Sequence, residues 1–142
     1  MKSRTKARVA ALQTLYEVDL TDHLLGSVLA DRGIDNDLDE AQYEFARLIA
    51  QGVFENRERL DQLIAAHAPE WPLDQVAVID RNILRIALWE LAFYRKTPLK
   101  VGINEAVELA KSFGTDSSPR FINGVLGSLV ENIDALLKSI PK

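Results

Sequence analysis

The sequence predicts an all-α protein. Apolar residues recur at spacings of three and four along most of the chain, and no window alternates apolar with polar residues as a half-buried strand would. Gly, Pro and Ser stand where those periodic runs stop and start, which is the punctuation of helices joined by short loops.

Ser3 is placed to cap a first helix through about Leu20, whose stripe is Val9, Leu12, Leu15, Tyr16 and Leu20. Leu24 to Ala30 forms a short second helix closed by Gly33. Asp37 is placed to cap a third, which carries Tyr43, Ala46, Leu48, Ile49, Val53 and Phe54 and continues, with or without an interruption, to about His67. Pro69 and Pro72 bracket Glu70 and Trp71 in a turn, because proline lacks the amide hydrogen that a helix interior needs. The next helix bears a broad stripe of Val76, Ile79, Ile83, Leu84, Ile86, Ala87, Leu88 and Leu91, suited to a central position touched from several sides, and Pro98 ends it. From about Gly102 the run Ile103, Ala106, Val107, Ala110 and Phe113 predicts a further helix, with Lys111 in its last turn and Gly114 as a left-handed stop. Ser118 followed by Pro119 reads as the N-cap and first residue of a last helix carrying Ile122, Val125, Leu126, Leu129, Val130, Ile133, Leu136 and Leu137.

A chain of 142 residues suits one domain, residues 1–142, rather than two. Its 47% hydrophobic and 27% charged content is that of a globular protein. The longest apolar stretch, Ile79 to Phe93, is interrupted by Asp80, Arg81, Arg85 and Glu90 and is read as a core helix, not a membrane span. The basic start has no long apolar region behind it, so it is not read as a signal peptide. There is no cysteine, which excludes disulfides and thiolate metal sites and agrees with a cytoplasmic setting.

The net charge of −4 argues against a surface that coats nucleic acid as a whole, so any nucleic-acid site is local. Charge is indeed segregated. Residues 1–16 hold Lys2, Arg4, Lys6 and Arg8 with no acid, whereas Asp31 to Glu44 holds six acids against Arg32 alone.

Catalytic or metal chemistry finds little support. His23 and His67 lie on different predicted helices, without the cysteine or paired histidine that a zinc site uses. The acidic run from Asp35 fails as a calcium loop, because Glu40 occupies the sixth position, where glycine is needed, and Ala46 the twelfth, where glutamate is needed. No phosphate-binding glycine loop and no nucleophile motif is present, so no cofactor, no metal and no enzyme activity are expected.

Two anomalies remain. Arg4 and Arg8 share a helix face with Lys2 and Lys6 beside it, and cations in a first turn oppose the helix dipole unless an anion compensates. Solvated charge at a terminus would read the same way. Arg120 repeats the pattern at the start of the last helix, after Thr115, Asp116, Ser117 and Ser118, where free amides and an arginine suit a phosphate; an ordinary capped loop is the alternative. Phe121 suits either the core stripe or stacking on an unpaired base.

Three blocks, KARVAALQTLY (6–16), EWPLDQVAVIDRNILRIALWEL (70–91) and INEAVELAKSFGTDSSPRFINGVLGSL (103–129), resemble the NusB family of transcription antitermination factors. The resemblance implies about seven helices in two packed bundles sharing a central helix. It also implies pairing with NusE, which doubles as a small-subunit ribosomal protein, and binding of boxA RNA by the pair. Other Nus factors and, through them, RNA polymerase would join to support transcription of ribosomal RNA operons. Carried onto this sequence, the family's basic motif falls on Arg4, Lys6 and Arg8, and its RNA-facing loop on Ser117, Ser118, Arg120 and Phe121. Its NusE-facing surface falls on Tyr16 and on Asp80, which either meets a basic partner or pairs with a cation of its own helix. The basic motif here is thinner than the family's consecutive arginines, which implies weaker RNA affinity.

Two other readings stand beside this one. A NusB-like domain also begins some ribosomal RNA cytosine methyltransferases, but no cofactor-binding α/β domain fits after Leu129 and there is no catalytic cysteine. A structural or regulatory homodimer could bury the same surface.

Overall fold

The computed structural model describes residues 2–140, and among these there are eight α-helices and no strand. The all-α prediction holds. Contacts group the helices into two compact units, one ending at Glu55 and one beginning at Asn56.

The first unit is α1 (Ser3–Leu20), α2 (Leu25–Asp35) and α3 (Glu40–Glu55), each packed on the other two. Ala7, Ala10 and Ala11 of α1 are fully buried, so this helix presents a smooth surface on which its neighbours approach closely around Leu12, Leu15, Val28, Leu29, Ile49 and Val53. The apolar stripe outlasts the core, since Tyr16 and Leu20 are exposed. Ser3 does not cap α1. It is the first helical residue, and its hydroxyl and carbonyl oxygens both accept from the Gln42 side chain.

Gly33 does not close α2. The helix continues past it, because a Cβ there would lie 2.7 Å from the Tyr43 ring and only glycine lets that ring sit flush. The stop is Asp37, at φ 53°, with its amide bonded to the Ile34 carbonyl and the Leu38 amide to the Gly33 carbonyl. That double closure is a Schellman motif built on a non-glycine residue. With Asp37 so used, the cap of α3 falls two residues later. Asp39 Oδ1 accepts from the Gln42 amide while Gln42 Oε1 accepts from the Asp39 amide, a reciprocal capping box.

The second unit holds α4 (Arg57–His67), a 3₁₀ turn (Leu73–Gln75), α5 (Val78–Trp89), α6 (Leu99–Phe113), α7 (Ser118–Glu131) and α8 (Ile133–Lys138). The expected long third helix is thus two, and so is the last, which gives eight helices where about seven were expected. Both breaks fall on asparagine with nearly the same backbone, Asn56 at φ −113°, ψ 17° and Asn132 at φ −109°, ψ 18°. Asparagine has low helix propensity and tolerates this bridge-region conformation, and an apolar periodicity that runs across it conceals the break. From Asn82 to Glu90 every residue is buried, so α5 is central to its unit as the broad stripe predicted, with α4, α6 and α7 packed on it. It ends in a π-helical turn, Glu90–Tyr94, stopped by Arg95 at φ 61°. Pro98 then stands at the N-cap of α6, which starts three residues before Gly102. A bidentate pair from Arg85 to Asp61, 2.8 and 2.7 Å, ties α5 to α4.

Candidate nucleic-acid interface

In the first unit the basic cluster occupies the opening turns of α1, which have no acidic residue. Its members differ sharply in access. Arg4 is exposed with its guanidinium carbon 4.2 Å from the centroid of the Phe45 ring; Arg8, one turn on, lies 5.3 Å from the same centroid and is only 3% exposed. Both are within cation–π range. Lys6 is half-buried and donates to the Asp37 carbonyl at 3.3 Å, so the left-handed stop of α2 helps to hold it. Phe45, 4% exposed, is the element that sequence reasoning missed. It belongs to the apolar stripe of α3, and nothing in that periodicity distinguishes a core ring from one that braces two cations.

Tyr16, also on α1, is 40% exposed, so it offers a ring and a hydroxyl at the surface. Near it Glu17 accepts from Arg32 of α2 at 2.7 Å and lies 2.7 Å from His23. The Arg32 guanidinium, and then the His23 ring, hold the Glu17 carboxyl below the usual carboxylate range.

In the second unit the loop between α6 and α7 carries the other cluster. Ser117 and Arg120 are exposed, Phe121 is half-buried, and Ser118 is buried. Ser118 opens α7, and its hydroxyl turns inward. It accepts from the Thr115 amide at 2.9 Å and donates to Asp80 Oδ2 at 3.1 Å. Gly114 makes the room. Its φ of −92° is not left-handed, so it is no αL stop; a Cβ there would instead fall 2.5 Å from the Ser118 Cβ. Asp80, in the first turn of α5, is 8% exposed, and its other oxygen, Oδ1, is buried without a hydrogen-bond partner. The structure therefore brings Asp80 and Ser118 together, two residues placed by the sequence on different surfaces.

The family model described as the NusB family matches residues 5–131. The chain belongs to the NusB family. A transcription antitermination protein NusB from Chloroflexus aggregans is 50% identical over 129 residues, covering 89% of this chain and 86% of that protein. Among solved NusB structures, that of T. maritima superposes with a TM-score of 0.80 at 34% identity, over 96% of this chain and 92% of that one. A chain from a complex of the antitermination factors NusB and NusE with double-stranded RNA superposes with a TM-score of 0.81 at 25% identity, over 99% of each chain. No described helix is long and apolar enough to cross a membrane. No described cluster of His, Cys, Asp or Glu has the arrangement of a metal site.

Proposed function

We propose that this chain is a transcription antitermination factor that pairs with NusE and binds boxA RNA, supporting transcription of ribosomal RNA operons. The observation that carries the reading is the likeness, over nearly the whole chain, to the NusB of the NusB–NusE–RNA complex. In this reading residues 1–142 act as one RNA-binding domain in the cytoplasm, without catalytic activity, cofactor or metal. Arg4, Lys6 and Arg120 reach phosphate, Ser117 lies at the RNA, and Phe121 meets a base with the exposed part of its ring. Arg8 and Ser118, both buried, serve the RNA surface from beneath. Tyr16 faces NusE, and Asp80 belongs to the NusE side or to the loop it bonds. The exposed end of the α1 stripe, Tyr16 with Leu20, supports an apolar contact there.

A chain of net charge −4 with few exposed cations at the RNA makes few phosphate contacts by itself, so affinity rises when a partner adds its own. Titrating labelled boxA RNA with the chain, with and without NusE, tests this, with solution mass measured in parallel. Tighter binding with NusE and a one-to-one heterodimer are expected. Equal affinity in both titrations removes the cooperative part, and a homodimer that NusE does not dissolve favours the structural reading.

A further inference from the structure

Asp80 is a charged side chain that is 92% buried by the measure that leaves it 8% exposed, yet no cation lies within ion-pair distance of it among the described residues. One oxygen has no partner, and the other is engaged by Ser118 alone. A buried carboxylate with so little compensation costs free energy, and the one bond it does make is directed at the loop before α7. That bond belongs to a chain of three groups: Thr115 N–H to Ser118 Oγ, and Ser118 Oγ–H to Asp80 Oδ2. The hydroxyl has a single proton, and the acceptor-only carboxylate takes it, which leaves the oxygen's lone pairs for the Thr115 amide. Asp80 therefore fixes the direction of the whole relay. Gly114 admits it, since any side chain there collides with that of Ser118.

We propose that Asp80 is a positioning residue for RNA binding, latching the α6–α7 loop through Ser118 so that Ser117 and Arg120 are held ready for the ligand. This rests on the reading of that loop as RNA-facing. The ligand class is single-stranded RNA, and the latch acts by ordering the loop before binding, so that less conformational freedom is lost when RNA arrives. Asp80 contributes without touching RNA and without needing exposure to a partner.

The test uses the full chain without NusE, a fluorescein-labelled single-stranded boxA oligonucleotide at low ionic strength, and amide hydrogen exchange at Thr115. Asp80→Ala and Ser118→Ala should each weaken RNA binding about fivefold, the factor that one net hydrogen bond corresponds to. The double variant should be no weaker than either single, because both break one relay. Thr115 exchange should quicken in each. Asp80→Asn, whose amide oxygen still accepts from Ser118, should recover most of the affinity and the protection that Asp80→Ala loses. Gly114→Ala, which displaces Ser118 without touching Asp80, should reproduce the loss and covers the case in which Asp80→Ala fails to fold. The proposal is overturned if Asp80→Ala leaves RNA affinity and Thr115 exchange intact, or if losses in the two singles add in the double. Arg120→Ala separates the levels: unaffected RNA binding in that variant defeats the RNA-facing reading of the loop and the latch with it, whereas weakened binding there beside an inert Asp80→Ala defeats the latch alone.

Discussion

Two arginines one turn apart on α1 share a single phenylalanine ring, yet burial gives them different work. Arg4 is exposed and Arg8 is 3% exposed, so only the first has its guanidinium at the surface. Arg4→Ala should flatten the slope of log RNA affinity against log salt by about 0.7, the contribution of one phosphate contact to single-stranded RNA. Its melting temperature should barely change. Arg8→Ala should do the reverse, lowering the melting temperature through lost packing and a lost ring contact while the salt slope stays put. Phe45→Leu should weaken RNA binding through both cations, and Phe45→Tyr, which keeps the ring face, should recover it. Salt titrations and thermal melts on the same four proteins decide the matter; a flattened slope in Arg8→Ala would show that its guanidinium reaches the ligand after all. At this scale the sequence indicated which residue types gather at the start of α1, because charge bias needs no fold to be seen. Burial is a property of packing, and neither the sinking of Arg8 nor the inward turn of Ser118 leaves a mark in residue spacing.

Helices were more legible than their ends. The stripe of α5 and the Ser118–Pro119 opening of α7 appear as the pattern predicts, because burial on a 3.6-residue period and proline chemistry are both local. Boundaries set by tertiary contact were not. Gly33 reads as a helix stop until the Tyr43 ring is seen against it, and the capping box of Asp39 and Gln42 was masked by an equally plausible cap at Asp37. Between α1 and α2, Glu17 and Arg32 make a link that also carries a pH signature. The Glu17 carboxyl is depressed chiefly by its bond to the Arg32 guanidinium. A group whose folded pKa lies below its unfolded value stabilises the fold above the unfolded pKa and loses that contribution as pH falls through the folded one. Melting temperatures of the parent chain and of Glu17→Gln should therefore differ at neutral pH and converge in acid, below the ordinary carboxylate range. A gap that persists unchanged to low pH would mean that the carboxylate's charge is not what the link depends on.

For the molecule as a whole, the balance of charge decides how RNA binding responds to salt. The chain carries 17 basic and 21 acidic residues, so its long-range field repels polyanions and affinity must come from a few close contacts. Arg4 and Arg120 are exposed at the two candidate clusters and Lys6 is partly so, whereas Arg8 is buried. Three phosphate contacts at about 0.7 each predict a slope of log affinity against log salt of roughly −2 for the chain without NusE. A fourth contact through Arg8 would bring it nearer −3, and a protein that gripped RNA with a general basic surface would be steeper still. The acidic remainder has a second effect: a run of nonspecific RNA of the same length should bind with a similar slope but lower affinity, since base contacts add affinity without releasing counterions. Measuring both RNAs from low to physiological ionic strength reads the two quantities together. Parallel lines separated by a constant gap are expected. Lines that converge at high salt would mean that the preference for boxA is itself carried by phosphate contacts, and the division of labour between the exposed cations and Phe121 would then fail.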